Sequence, residues 1–209
     1  MALLFTIVGV FILLVLSEVW WRTRPIHDEV ARKFVHITVG SLVAFFPYFL
    51  THQEIMLLSG SFLVVVALSR KFNIFSAIHS VQRPTWGEFW FALVVGLLAI
   101  VPDHHHIYTV ALLVMSLADG MAAVVGIRFG RSTRYKVFKS EKSLVGTLTF
   151  FIVCCLILVG YTLVSPTPSI VAWIIPLSLA GTLIENVAPD GLDNLLVPFL
   201  IASSLYMLM

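Results

Sequence analysis

Eight stretches of about 17–22 mostly apolar residues follow one another along the chain: 2–21, 31–50, 54–69, 85–101, 106–127, 143–164, 168–185 and 192–208. As helices, such stretches match a hydrocarbon layer about 30 Å thick. The mean hydropathy is +1.01, and only 11% of the 209 residues are charged, where a soluble domain would carry roughly 25%. The pattern predicts an all-α polytopic membrane protein, a bundle of about eight transmembrane helices. No linker, repeat or low-complexity tail interrupts it, so residues 1–209 read as a single integral membrane domain. The first stretch has no base before it and Arg22 and Arg24 after it, the signature of a retained span rather than a cleaved signal. Pro176 interrupts the seventh stretch, which a membrane helix tolerates where its neighbours satisfy the freed carbonyl. Cys154 and Cys155 sit side by side inside a stretch and read as packing residues, not as a disulfide framework.

The basic residues test this layout. One set comprises Arg22, Arg24, Arg32 and Lys33, another Arg70, Lys71 and Arg83, and the third Arg128, Arg131, Arg134, Lys136, Lys139 and Lys142. These are all 13 Lys and Arg of the chain, and they fall in alternate connections and the helix ends beside them. The positive-inside rule then makes these connections cytoplasmic and sets the N-terminus outside. The net charge of +2 conceals this asymmetry. The stretch "FNIFSAIHSVQ" at 72–82 is too polar to span; it reads either as an amphipathic helix in the inner interface or as an ordinary loop.

Asp119 stands inside the fifth stretch, in "DGMAAVVGIRFGR". On a helix, Ala122, Ala123, Gly126 and Gly130 lie within about 60° of it. Small residues on one face let helix backbones approach closely, which accounts for the glycines by packing alone. It does not account for the acid, because ionisable residues within spans are costly and functional by default. The bases that follow lead into "KSLVGT", where Lys142, Ser143, Gly146 and Thr147 open the sixth stretch. Basic side chains at a helix N-terminus suit an anion. A carboxylate beside a phosphate suggests Mg²⁺, which takes oxygen ligands and bridges protein to phosphate.

Two further elements point to the same membrane face. In "DEVARKFVHITVG", Glu29, Lys33, His36 and Gly40 share one helix face, with Arg32 beside them. His36 there is a packing residue, a phosphate ligand or a base. In "ENVAPDGLDNLLVP", Glu185, Asp190, Asp193 and Asn194 surround a Pro-Gly turn. Some of these acids can simply cap the last helix; three of them in one short turn also suit a metal. The "DHHH" run at 103–106 falls on the outer side, and consecutive histidines do not converge on a metal.

Taken in order, "RKFVH" with Gly40, "DGMAAVVGIRFGR", "KSLVGT" and "ENVAPDGLDNLLVP" resemble the polyprenol kinase family, which includes dolichol, phytol and farnesol kinases and CTP-dependent diacylglycerol kinase. The resemblance covers residues 29 to 198. It implies an enzyme that transfers the terminal phosphoryl group of CTP, with Mg²⁺, to the hydroxyl of a lipid alcohol of the phytol or polyprenol type. The implied catalytic set is Asp119, His36, Lys33 and Arg32. The nucleotide would lie against Gly126, Gly130, Arg131, Lys139, Lys142, Ser143, Gly146, Thr147 and Asn194. The metal would be held by Asp119, Glu185, Asp190 and Asp193. The sequence departs from the family in carrying Arg131 and Arg134 where relatives often have Lys, which keeps the charge and changes its geometry.

The pattern of the CDP-alcohol phosphotransferases is broken at Val124, which follows Ala123 where that family needs Arg after Ala. The CDP-diacylglycerol synthase signature is absent, and "GIRFGRS" is no Walker A loop. Nothing in the residues reads a nucleotide base, and no nucleic-acid partner is expected. Diacylglycerol kinase and lipid cytidylyltransferase activities remain alternatives, as does a small anion transporter. Against the transporter, the halves do not repeat and the charges gather at one face. The expected setting is a cell inner membrane, with the site facing the cytoplasm and the lipid substrate staying in one leaflet.

Overall fold

The computed structural model describes residues 2–23, 29–72, 86–100, 104–138, 140–165 and 168–209. Helices α1 (Ala2–Thr23), α2 (Glu29–Ala44) and α3 (His52–Phe72) come first, with a 3₁₀ turn at Phe46–Tyr48 before α3. Helix α4 (Gly87–Leu98) is short. Helix α5 (His105–Phe129) runs through a π-helical turn at Val114–Ala118. A hairpin, β1 (Arg134–Val137) and β2 (Ser140–Ser143), follows. Helices α6 (Leu144–Val164), α7 (Pro168–Val187) and α8 (Asp193–Leu208) complete the described chain.

Among the described residues, α3, α5, α6 and α7 are long and apolar enough to cross a membrane. Each of the eight expected stretches is helical, but length separates them. The 12 residues of α4 rise only about 18 Å, well short of a hydrocarbon layer of about 30 Å. The outward faces of α6 and α7 carry lipid-compatible surface. Val171, Ile175, Leu179, Leu183 and Val187 recur every fourth residue along α7, and each is at least half exposed. So long an unbroken apolar stripe suits contact with lipid rather than water. The protein is therefore a helical membrane protein.

The purely helical expectation needs one correction: a small antiparallel hairpin within the basic segment. Its register pairs Arg134 with Ser143, Tyr135 with Lys142, Lys136 with Glu141 and Val137 with Ser140. Strand side chains alternate, so Tyr135 and Lys142 turn inward while Lys136 and Glu141 face out. Phe138 makes the tip, with φ of 50°. The 73–85 segment, including most of the candidate amphipathic stretch, lies outside the described residues.

Helix α5 is the axis. Its apolar window is 61% buried, against 22–33% for the other three long helices. One apolar cluster packs its Ile107, Val114 and Ala118 against Phe150, Leu158, Ile174 and Ile201 of α6, α7 and α8. A second packs its Tyr108, Leu112 and Met115 against Val43, Ile55 and Val94 of α2, α3 and α4. Small residues permit these contacts. A Cβ on Gly40 would overlap Ser116, one on Gly126 would lie 2.7 Å from Ser143 Oγ, and one on Gly146 would lie 2.8 Å from the Ala122 carbonyl.

Gly146→Ala should therefore destabilise the protein, because the obstacle is backbone and cannot swing aside; overpacking of this kind costs about 1–3 kcal/mol. Gly160→Ala, where nothing lies within 4 Å, should be neutral or mildly stabilising. Unfolding of both variants in one detergent checks the contrast.

Candidate functional site

The cleft forms where the N-terminal turns of α2, the middle of α5, the C-terminal end of α7 and the N-terminal end of α8 meet. Asp119 follows immediately after the π turn, which inserts one extra residue per turn and redirects what comes after it. Asp119 is only 5% exposed. Helix α2 lies against this point because Gly40 has no side chain to keep it from Ser116. The face shared by Lys33, His36 and Gly40 is thereby turned onto α5. Lys33 Nζ donates to Asp119 Oδ2. His36 Nε2 stands 3.6 Å from the same oxygen and 3.4 Å from the Met115 carbonyl. Its ring meets Phe91 edge-on at 5.5 Å.

On the opposite wall, Glu185 lies near the C-terminal end of α7 and is buried. Lys142 Nζ donates to its Oε1 and, at 2.8 Å, to its main-chain oxygen. A cation here also complements the negative end of the helix dipole. Burial alone would lower the pKa of Lys142, but the Glu185 carboxylate outweighs it and the net shift is upward from 10.5. A raised lysine keeps its pair intact below its ordinary pKa and loses it only as pH rises through the raised value. The contact is therefore constant across the neutral range.

The inward face of the hairpin is tied down beside this pair. Tyr135 Oη lies 2.5 Å from both Thr147 Oγ1 and Asn186 Oδ1, and Thr147 donates to the same amide oxygen at 3.2 Å. Asn186 Nδ2 donates to the Thr182 carbonyl at 2.9 Å.

Helix α8 supplies the floor. Asp190 and Gly191 take φ of 52° and 81° in the preceding turn, where Gly191 packs on Gly87. The Trp86 amide donates to the Asp190 carbonyl at 3.0 Å. Asp193 and Asn194 then open α8. Asn194 Nδ2 donates to the Gly87 carbonyl at 3.1 Å, while its buried Oδ1 has no partner. Asp119, Glu185, Asp193 and Asn194, with Met115, Phe150 and Val197, line one small cleft of about 150 Å³ including its open mouth.

The expected residues thus divide. Asp119, Glu185, Asp193 and Asn194 line the cleft, with Lys33, His36 and Lys142 bonded to or beside its carboxylates. Asp190 does not join them: it is exposed in the turn and contributes its main chain. Arg32 is half-buried near Gly87, outside the lining. Arg131 is exposed, and the exposed Arg134 faces Glu141 at 3.5 Å. Lys139 lies outside the described residues. Gly126, Gly130 and Gly146 join α5 to the start of α6, where Ser143 caps the helix by accepting from the Gly146 amide at 3.1 Å. Thr147 is held by Tyr135 and Asn186.

Tyr135 and Asn186 were not among the expected site residues. The alternation in "RYKV" and "SEKS" about the intervening Phe138 and Lys139 is the signal that a hairpin presents Tyr135 with Lys142. Among the described residues, no three His, Cys, Asp or Glu side chains stand close enough together to hold a metal by themselves. On the far side of the bundle, His106 Nδ1 lies 2.8 Å from Tyr48 Oη, and the His52 and His105 rings lie 6.0 Å apart, tilted by 58°.

Fold and cleft together define a helical membrane protein with carboxylates, ammonium groups and an imidazole gathered at one buried cleft between its helices. The chain is 34% identical over 181 residues to the phytol kinase of Synechocystis sp., an alignment covering 81% of this chain and 75% of that protein. It belongs to the polyprenol kinase family, of which phytol kinase is a member. No family model matches the chain, and no solved structure matches it.

Removing one member of a buried ion pair strands the other charge. Lys33→Met should destabilise the protein by about 3–5 kcal/mol. Adding Asp119→Asn should recover most of that loss, a non-additivity that unfolding of the two single variants and the double variant would measure.

Proposed function

We propose that the protein is a lipid-alcohol kinase that transfers the terminal phosphoryl group of CTP to the hydroxyl of a long-chain prenol of the phytol or polyprenol type. The observation that carries this reading is the convergence of Asp119, Glu185 and Asp193 with Lys33 and Lys142 on one cleft. Kinship with a phytol kinase supports a lipid alcohol as the acceptor. CTP as donor rests on the family resemblance.

Phosphoryl transfer asks little covalent chemistry of a protein; it asks for charge neutralisation and in-line positioning. In this reading Lys142 meets phosphate oxygens at the hairpin, and Lys33 does so from α2. Mg²⁺, when bound, would offset charge on the transferring phosphoryl group. Its protein ligands would be one or two of Asp119, Asp193 and Glu185, hard oxygen donors suited to it, with the unpartnered Asn194 Oδ1 lining the same cleft. Mg²⁺ commonly takes only one or two carboxylates and completes its shell with phosphate and water, which suits a cleft without a three-ligand cage. His36 directs Nε2 toward the Met115 carbonyl and Asp119. His36 or one of the cleft carboxylates would take the acceptor hydroxyl's proton. The prenol chain would lie along the apolar helix surfaces with its hydroxyl at the cleft.

The same reading sets the cleft on the cytoplasmic face of a cell inner membrane, with eight spans and the N-terminus outside. Cysteines introduced at Ser132, in the turn after α5, and at Ser165, just past the end of α6, should label from opposite sides; labelling from one side would refute this span count.

Purified protein incubated with Mg²⁺, γ-labelled CTP and a panel of phytol, shorter prenols, polyprenols and diacylglycerol should place label in a prenyl monophosphate. Label in phosphatidate alone would make it a diacylglycerol kinase, and CMP on a lipid phosphate a cytidylyltransferase. Solute uptake into proteoliposomes without any lipid product would make it a transporter. Competition with ATP, UTP and GTP should leave CTP preferred. Asp119→Asn, with turnover counted per folded molecule because the variant also strands Lys33, should lose about 10³-fold or more, as expected for loss of several kcal/mol of transition-state stabilisation.

A further inference from the structure

Each of the two buried carboxylates that face each other across the cleft already holds a lysine. Lys33 donates to Asp119, and Lys142 donates to Glu185. Asp193 lines the cleft between them, and no lysine or arginine among the described residues pairs with it. Asn194 Oδ1 lines the same cleft, buried and without a partner. The arrangement is therefore short of one positive charge and one donor. A divalent cation entering here would meet Asp193 and Asn194 directly, but Asp119 and Glu185 only after their lysines let go.

We propose that Lys33 and Lys142 are exchangeable counterions. They neutralise Asp119 and Glu185 while the cleft is empty of substrate, give up those carboxylates when a divalent cation enters, and turn their freed ammonium groups toward the phosphate oxygens that arrive with it. The proposal rests on the reading of the cleft as a metal–nucleotide site and adds its order of events. No bond is made or broken; two ion pairs are replaced by cation–carboxylate and ammonium–phosphate contacts. Lys142 is the more accessible of the two. Its side chain is 22% exposed, against 10% for Lys33, and it stands on a strand rather than within a helix.

The exchange has a consequence opposite to that of an ordinary binding residue. A lysine that competes with the metal weakens metal binding, so its removal must strengthen it. Mn²⁺ alone, without nucleotide, is the probe. Titrated into purified protein and read by electron paramagnetic resonance, it should bind Lys142→Met roughly tenfold or more tightly than wild type, as expected for removal of a cation a few ångströms from the metal's ligand. Lys142→Met should at the same time bind nucleotide more weakly. Unchanged or weaker Mn²⁺ binding by Lys142→Met would overturn the proposal.

A second measurement needs no variant. Amine acylation of the wild-type protein, followed by mass spectrometry, should modify Lys142 faster once Mn²⁺ is added and more slowly again once nucleotide follows. Acylation unaffected or slowed by Mn²⁺ alone would equally overturn the exchange. The prenol assay distinguishes this failure from failure of the function. A protein that phosphorylates prenol while Mn²⁺ ignores Lys142 keeps its reaction and loses the exchange. A protein that shows the exchange and makes no lipid phosphate keeps the exchange and loses the prenol.

Discussion

The ion pair between Lys33 and Asp119 joins two helices at a depth where neither charge would be tolerable alone. A carboxylate or ammonium taken out of water costs several kcal/mol unless it is paired and hydrogen-bonded. Pairing demands contact, and contact demands that α2 and α5 come close. The sequence meets that demand with Gly40 against Ser116 and Gly120 against Ile37, positions where a Cβ would overlap its neighbour. Asp119 follows directly on the π turn at Val114–Ala118 and lines the buried cleft. Packing of small residues and burial of charge are two sides of one arrangement: the close approach exists at the point where the charges must meet.

The second pair, Lys142 with Glu185, solves the same problem differently. Lys142 does not come from a helix face but from a strand, and its partner sits near the end of α7, where main-chain carbonyls lack helical donors. One ammonium group satisfies a carboxylate and a carbonyl together. Tyr135, opposite Lys142 in the hairpin register, ties the same strand pair to Thr147 and Asn186. The hairpin is thus the piece of backbone that converts a run of bases into one directed lysine, while Arg131, Arg134 and Lys136 remain at the surface.

Much of the architecture was legible because its causes are local. Apolar runs betray helices in a membrane, and the small stripe from Ala122 to Gly130 betrayed a close helix contact. Asp119 stood out because an acid in such a run has no packing reason to be there. The same local logic failed at the hairpin, where two four-residue strands hide among charged residues, and at Tyr135, whose role depends on a register no short window reveals. It also gathered Asp190 with Asp193, although the left-handed turn between them points the first to the surface and leaves only the second in the cleft.

The sequence by itself determined that this chain is helical, apolar and membrane-borne, with its bases and several acids drawn to the helix ends, because hydropathy and helical periodicity act over a few neighbouring residues. Which base meets which acid was decided only by the tertiary structure. Lys33 and Asp119 are 86 residues apart, and Lys142 and Glu185 are 43 apart. Partners at such separations are chosen by the packing of whole helices around α5 and by the register of one hairpin. Neither is encoded in any local stretch, because both follow from how the buried surfaces fit one another.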